Sequence, residues 1–144
     1  MLFCVFSCAL LRVSTAQAAE SCHKINAKGV GQDRGGGVTV ANIKGGGLLQ
    51  GTTEGNFSIV GGSAPLFSIA GTVKFTTNQA TLTVAISGSF DVSSGQFNAS
   101  GPVSAATGKL AGASGALAFA GVENLSDGSF MEDVTGSICI DLAH

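Results

Sequence analysis

The sequence predicts an all-β protein, an eight-stranded antiparallel β-barrel, with a β-sandwich as the alternative. Three observations predict it. Apolar and polar residues alternate with a period of two along most of the chain. About eight such runs are separated by short turns rich in Gly, Ser, Asn and Asp, the spacing of barrels and sandwiches. Beyond the N-terminus no run has helical spacing. The length of 144 residues implies one domain. Only 11% of residues are charged while 44% are hydrophobic, which argues against disorder.

The order of elements begins with residues 1–19, which read as a secretory signal peptide. Leu2 to Leu11 forms the apolar segment and Ala16-Gln17-Ala18 a small-x-small cleavage site. An apolar run of that length is too short to span a bilayer, which needs about 20 residues. Residues 20–144 then form a single β-barrel domain, and no membrane attachment is expected after cleavage. Lys24 to Gln32 alternates as a first strand, and Val38 to Ile43 as a second, joined by Arg34-Gly35-Gly36-Gly37. Gly45-Gly46-Gly47 reads as a bulge or turn. Leu48 to Val60 reads as a long strand, with Gly61 to Pro65 as the turn after it.

The clearest signal runs from Leu66 to Phe90. Phe67, Ile69, Gly71, Val73 and Phe75 alternate with polar or small residues, and Asn78-Gln79 breaks the pattern. Leu82, Val84, Ile86, Gly88 and Phe90 then resume it, so the segment reads as an antiparallel hairpin. Gln96 to Val103 is the next strand, while Ser104 to Gly112 is less regular. Ser114 to Val122 and Ser129 to Leu142 complete the set around a turn at Asp127-Gly128.

With the leader removed, Cys22 and Cys139 are the remaining cysteines, and in an exported chain they most simply form one disulfide. Both share the polar phase of the first and last strands. A bridge between them would join those strands across the outer surface and close the sheet, which favours the barrel. The chain is therefore expected to be secreted, or periplasmic or surface-bound in a bacterium. Asn56, Asn98 and Asn124 head three sequons and are glycosylation candidates in a eukaryotic host.

The segment Thr107-Gly108-Lys109-Leu110-Ala111-Gly112-Ala113-Ser114-Gly115 resembles the "TGxFAGATG" corner of small secreted barrels of the allene oxide cyclase-like and dirigent-like type, with Leu110 where that group usually has Phe. Gly51-Thr52-Thr53-Glu54-Gly55 looks like an earlier strand of the group. The resemblance covers most of residues 48 to 142 in order of elements. It implies an eight-stranded barrel with an apolar cavity that holds a lipid or phenol during cyclisation or coupling. No catalytic residue of that group has a counterpart here.

Several chemistries are absent from the residues themselves. The net charge of −2 and the lack of Trp and Tyr leave neither a basic footprint nor a stacking platform for nucleic acid, and disfavour a carbohydrate-binding module. His23 and His144 have no partner at metal-ligand spacing. The triple-glycine stretches lack the Lys-Ser/Thr of a phosphate loop. Neither metal nor cofactor is expected. One residue breaks the pattern: Glu132 shares the phase of Phe130, Val134 and Ile138, so its carboxyl is directed to the apolar side. There it would have a raised pKa and could act as an acid or base. A strand end or a bulge at that point would instead turn it outward. Phe57, Phe67, Phe75, Phe90, Phe119 and Phe130 are the candidate lining of the interior, as are core packing positions. Two functions fit: a barrel that binds a small apolar molecule and steers its reaction by shape, or a filled barrel with a structural or surface role. The volume left inside by the inward-facing glycines discriminates them.

Overall fold

In the computed structural model, residues 20–141 are described, so the expected signal segment lies outside the described residues. The chain forms eight antiparallel strands that close into a barrel in simple sequence order. The strands are β1 (Glu20–Asp33), β2 (Val38–Lys44), β3 (Gly51–Ser63), β4 (Leu66–Thr76), β5 (Ala80–Asp91), β6 (Gln96–Gly108), β7 (Ser114–Glu123) and β8 (Ser129–Asp141). Up-and-down connection lets each strand pair with its sequence neighbour. Closure requires only that β8 return to β1, and it does so from Glu20↔Asp141 to Gln32↔Ser129. Full closure leaves no unpaired sheet edge.

The alternation seen in sequence becomes the two faces of the wall. Ile25, Ala27, Ile43, Val73, Phe75, Leu82, Val84, Leu117, Phe119, Val134 and Ile138 point inward and are buried. Lys24, Lys28, Glu54, Lys74 and Asp133 lie on the exposed outer phase. Lys28 and Asp133 form an ion pair there across β1 and β8. Apolar inside and polar outside is the reverse of a lipid-spanning barrel. No helix among the described residues is long and apolar enough to cross a membrane.

Three readings of the sequence change, the first being the turn expected over Gly61 to Pro65: β3 instead runs on to Ser63, past a bulge at Val60. The stretch Leu48 to Val60 does not begin as strand: Gly47–Leu49 is a 3-10 turn, and β3 starts at Gly51. The turn drives Leu49 into the barrel end, where it is fully buried. The irregular stretch after Val103 is strand after all, because β6 runs to Gly108. Ser104 is an extra residue in the β5–β6 ladder, since Val84 pairs with Val103 and Thr83 with Ala105. A bulge flips the alternation by one residue, so the period-two pattern breaks off there in the sequence while the strand continues. The Thr107–Gly115 corner follows, and its Leu110 is buried at the same barrel end as Leu49.

The disulfide is Cys22–Cys139, a directly opposed pair of β1 and β8. It closes a loop with a sequence separation of 117 on the outer face. A loop of that size is worth about 4–5 kcal/mol in the chain-entropy account. Replacing both cysteines by Ala is expected to cost about 2–5 kcal/mol in chemical denaturation. In the same assay Leu82→Ala, at a fully buried position, is expected to cost about 2–5 kcal/mol. Val30→Ala, at an outer position 57% exposed, is expected to stay within about 0.5 kcal/mol.

Candidate functional site

The two ends of the barrel differ. The end with Leu49, Leu110, Phe75, Leu82 and Ile138 is packed solid. The other end carries the β1–β2, β3–β4, β5–β6 and β7–β8 turns and holds a cavity of about 430 Å³. Its walls are Phe57, Ile69, Val73, Ile86, Phe90, Phe97, Ala99, Phe119 and Phe130, with Thr39 and Thr53 as polar points. It reaches solvent at the rim, where Ile59 lines it and is 64% exposed.

Bulky and glycine positions alternate around the wall of the cavity. A Cβ on Gly31 would lie 2.4 Å from the Phe130 ring, and one on Gly121 would lie 2.6 Å from the Phe97 ring. A Cβ on Gly55 would meet the Phe57 ring at 2.5 Å. These three rings therefore fill glycine space, and Phe97 meets Phe130 edge-to-face at 5.9 Å between centroids. They do not fill all of it. The glycines of the β4–β6 wall are occupied differently: a Cβ on Gly71, Gly88 or Gly101 would collide with a neighbouring backbone carbonyl rather than a ring. Those glycines serve close approach of strands, not side-chain packing.

The mouth is held by its turns. Gly37, at φ +80°, allows its carbonyl to accept the Phe57 amide at 2.8 Å; a Cβ there would lie 2.1 Å from the Phe57 carbonyl oxygen. Gly95, at φ +78°, likewise accepts the Glu123 amide at 2.9 Å. In the β5–β6 turn the Asp91 carboxylate accepts from the Ser93 amide at 2.8 Å and its hydroxyl at 2.5 Å. In the β7–β8 turn Asp127 accepts from the Ser129 amide at 2.9 Å, which fixes the strand just before Phe130. These bonds lower the pKa of both aspartates.

Three carboxyls line the cavity: Asp33, Glu123 and Glu132. Glu123 and Asp33 stand at the rim, on the last residues of β7 and β1. Burial raises the Glu123 pKa first, and the charge of Asp33 and a hydrogen bond to it raise it further. Glu132 lies deeper. Its strand partners are Gly29 on β1 and Gly121 on β7. A Cβ on Gly29 would be 2.7 Å from both Cγ and Oε1 of Glu132, so that glycine makes the space the carboxyl occupies. Burial pushes its pKa from the usual 4.5 to about 7. A group titrating near neutrality can both give and take a proton.

Each residue singled out in the sequence now has a place, except His144, which lies outside the described residues. Glu132 faces the interior, with neither a strand end nor a bulge turning it out. Phe57, Phe90, Phe119 and Phe130 line the cavity. Phe75 does not: it is fully buried in the closed half, with its ring 6.0 Å from that of Phe119. Phe67 does not either. It pairs with Phe90 and with Gly62 near the β3–β4 tip, beyond the lined volume. Asn56, Asn98 and Asn124 are all exposed. His23 is exposed, and no group of side chains suited to a metal ion occurs among the described residues. Sequence reasoning did not single out Glu123 and Asp33 as site residues. Both fall at strand ends, where phase is least certain, although Glu123 keeps the inward phase of Leu117 and Phe119.

The large hydrophobic side chains that remain exposed also gather at this end. Ile59, Val60, Leu66 and Val92 flank the β3–β4 and β5–β6 turns, while Val30, Val122, Leu125 and Met131 flank the opposite side. An apolar rim thus surrounds an apolar cavity.

Two measurements follow from this geometry. Between the ordinary pKa of 4.5 and the folded value of about 7, the folded state holds a proton on Glu132 that the unfolded state has lost. Stability from this group is therefore complete below pH 4.5 and declines as pH rises through 7. The decline is on the order of 3 kcal/mol. Glu123 contributes with the same sign, and Asp91 and Asp127 with the opposite one. Urea denaturation across that range should show Glu132→Gln gaining on the wild type as pH rises. Gly29→Ala should displace the Glu132 carboxyl, and its cost should shrink in a Glu132→Ala background. The coupling is expected at about 0.5–3 kcal/mol.

No protein-family model matches the chain, and neither a curated protein nor a solved structure matches it.

Proposed function

We propose that this is an exported barrel that binds a small apolar molecule in its open half and steers that molecule's cyclisation or coupling by shape. The observation that carries the reading is the apolar cavity of about 430 Å³ with a carboxyl set into its wall. Its volume falls within the range of small-molecule sites, as does its mix of hydrophobic lining and few polar groups. Rigid strands hold the lining, so a bound chain or ring system would be restricted to few conformers. That restriction lowers the entropic cost of reaching a reactive one. Glu132 is the group we assign as acid or base.

Export is supported by the disulfide, which persists in oxidising compartments. The exposed sequons are compatible with glycosylation in a eukaryotic host. The likeness of the Thr107–Gly115 corner to allene oxide cyclase-like and dirigent-like barrels supports an apolar occupant of the barrel, without fixing its headgroup. The competing reading, a filled barrel with a structural role, draws on Phe57, Phe97 and Phe130 packing into glycine space. It does not account for the remaining volume or for a carboxyl facing it.

Native mass spectrometry of the processed protein from its own host tests the proposal. A reproducible adduct that is lost on denaturation is the expected result. Saturating mutation of the cavity, with Ala99→Phe as the first variant, should remove that adduct while the fold is retained. An adduct that survives Ala99→Phe would place the ligand elsewhere.

A further inference from the structure

Every charged side chain that lines the cavity is a carboxyl. Asp33 comes from β1, Glu123 from β7 and Glu132 from β8, while β2 and β3 contribute Thr39 and Thr53. Among the described residues no Lys, Arg or His lines it. An anionic headgroup placed here would meet three acids and no cation. Fatty acids and phenolates are thus poor occupants, whatever their apolar fit.

Glu132 sets the more specific demand. Two glycines flank it, and Gly29 in particular leaves its carboxyl room to project into the cavity. Among the described residues no donor is bonded to it, and burial alone accounts for its pKa. Its hydrogen-bonding capacity is therefore directed at whatever occupies the cavity. The rings of Phe57, Phe90, Phe97 and Phe130 line the same space. Ring faces attract cations, and a desolvated carboxylate attracts them more strongly.

We propose that the ligand is an apolar molecule bearing one amine, held as its ammonium ion by Glu132 and the surrounding phenyl rings. The inference rests on the binding reading above and narrows its ligand class. Below pH 7 the carboxyl gives up its proton to solvent as the cation enters, and above it the ammonium ion meets a carboxylate already formed. The rim pair of Glu123 and Asp33 adds negative potential along the way in.

Octylamine, octan-1-ol and octanoate share a chain length and differ in headgroup, so calorimetric titration of the three into the disulfide-bonded protein tests the proposal. At about pH 8 the amine is protonated and Glu132 is ionised. Octylamine is expected to bind at least about tenfold more tightly than octanol, with octanoate weakest. In Glu132→Gln the amine should fall to the affinity of the alcohol, whose own binding should hold. If that variant does not fold, the wild type at about pH 5 serves instead, where a protonated Glu132 should lose most of the amine preference. Binding of none of the three would overturn the cavity reading and this proposal with it. Equal binding of amine and alcohol, tighter binding of octanoate, or an amine preference that survives Glu132→Gln or the lower pH would overturn the amine assignment alone.

Discussion

The pairing of β1 with β8 is the constraint on which the rest of the molecule depends. Seven of the eight strand pairs join neighbours in sequence and need only short turns. The eighth joins the two ends of the domain, with Cys22 opposite Cys139. It is the entropically expensive contact, since its loop spans nearly the whole chain. The disulfide sits within this pair, at the closed end of the barrel. There it holds the register without crossing the mouth. The same pairing sets Gly29 beside Glu132 and Gly31 beside Phe130. A slip of one residue would turn Glu132 outward and bring Met131 into the barrel. Closure and the chemistry of the cavity are therefore one structural event.

The wall then divides the labour between its two ends. In the closed half, Leu49 and Leu110 enter from turns and complete the packing that strand residues alone leave open. In the open half no turn residue plays that part. The turns there are occupied with their own hydrogen bonds, Asp91 to Ser93 and Asp127 to Ser129. Their backbones clamp Phe57 and Glu123 through Gly37 and Gly95. A barrel of eight strands is wide enough to be filled by side chains or to leave room for one small molecule, and this one is filled at one end and hollow at the other.

Much of the fold was legible in the sequence, because period-two alternation reports directly on a wall with one apolar face. The hairpin at Leu66 to Phe90, the inward phase of Glu132 and the facing of Cys22 with Cys139 all follow from that single regularity. It failed where the regularity is broken by one residue. Ser104 flips the phase of β6, and the 3-10 turn at Gly47–Leu49 imitates the start of a strand. The cavity was legible only in part. Phase says that Phe75 and Phe90 point inward, but not that one lies in the packed half and the other beside open space. That difference depends on Leu49 and Leu110, which reach the barrel end through turns whose geometry no alternation encodes. The rim pairing of Glu123 with Asp33 depends on closure in the same way, since those residues are ninety apart in sequence.

Glu132 shows why a site, rather than a stability requirement, is the economical account of this end of the barrel. A carboxyl facing an apolar space has a destabilising effect that grows as pH rises from 4.5 to about 7 and stays at its full size above that. Among the described residues nothing in the wall compensates it: no cation lines the cavity, and no protein donor is bonded to the carboxyl. A Gln or Leu in its place would remove the penalty, and the barrel would close as well without it. Gly29 adds to the cost, because glycine in a strand interior forgoes side-chain packing and raises the entropy lost on folding. Two unfavourable choices at one register pair, each of which makes sense only in the presence of the other, make a cavity wall with an acid set in it. Local choices that conflict with stability are concentrated where function requires them. Here the conflict lies between Gly29 and Gly121, under the rings of an open apolar chamber.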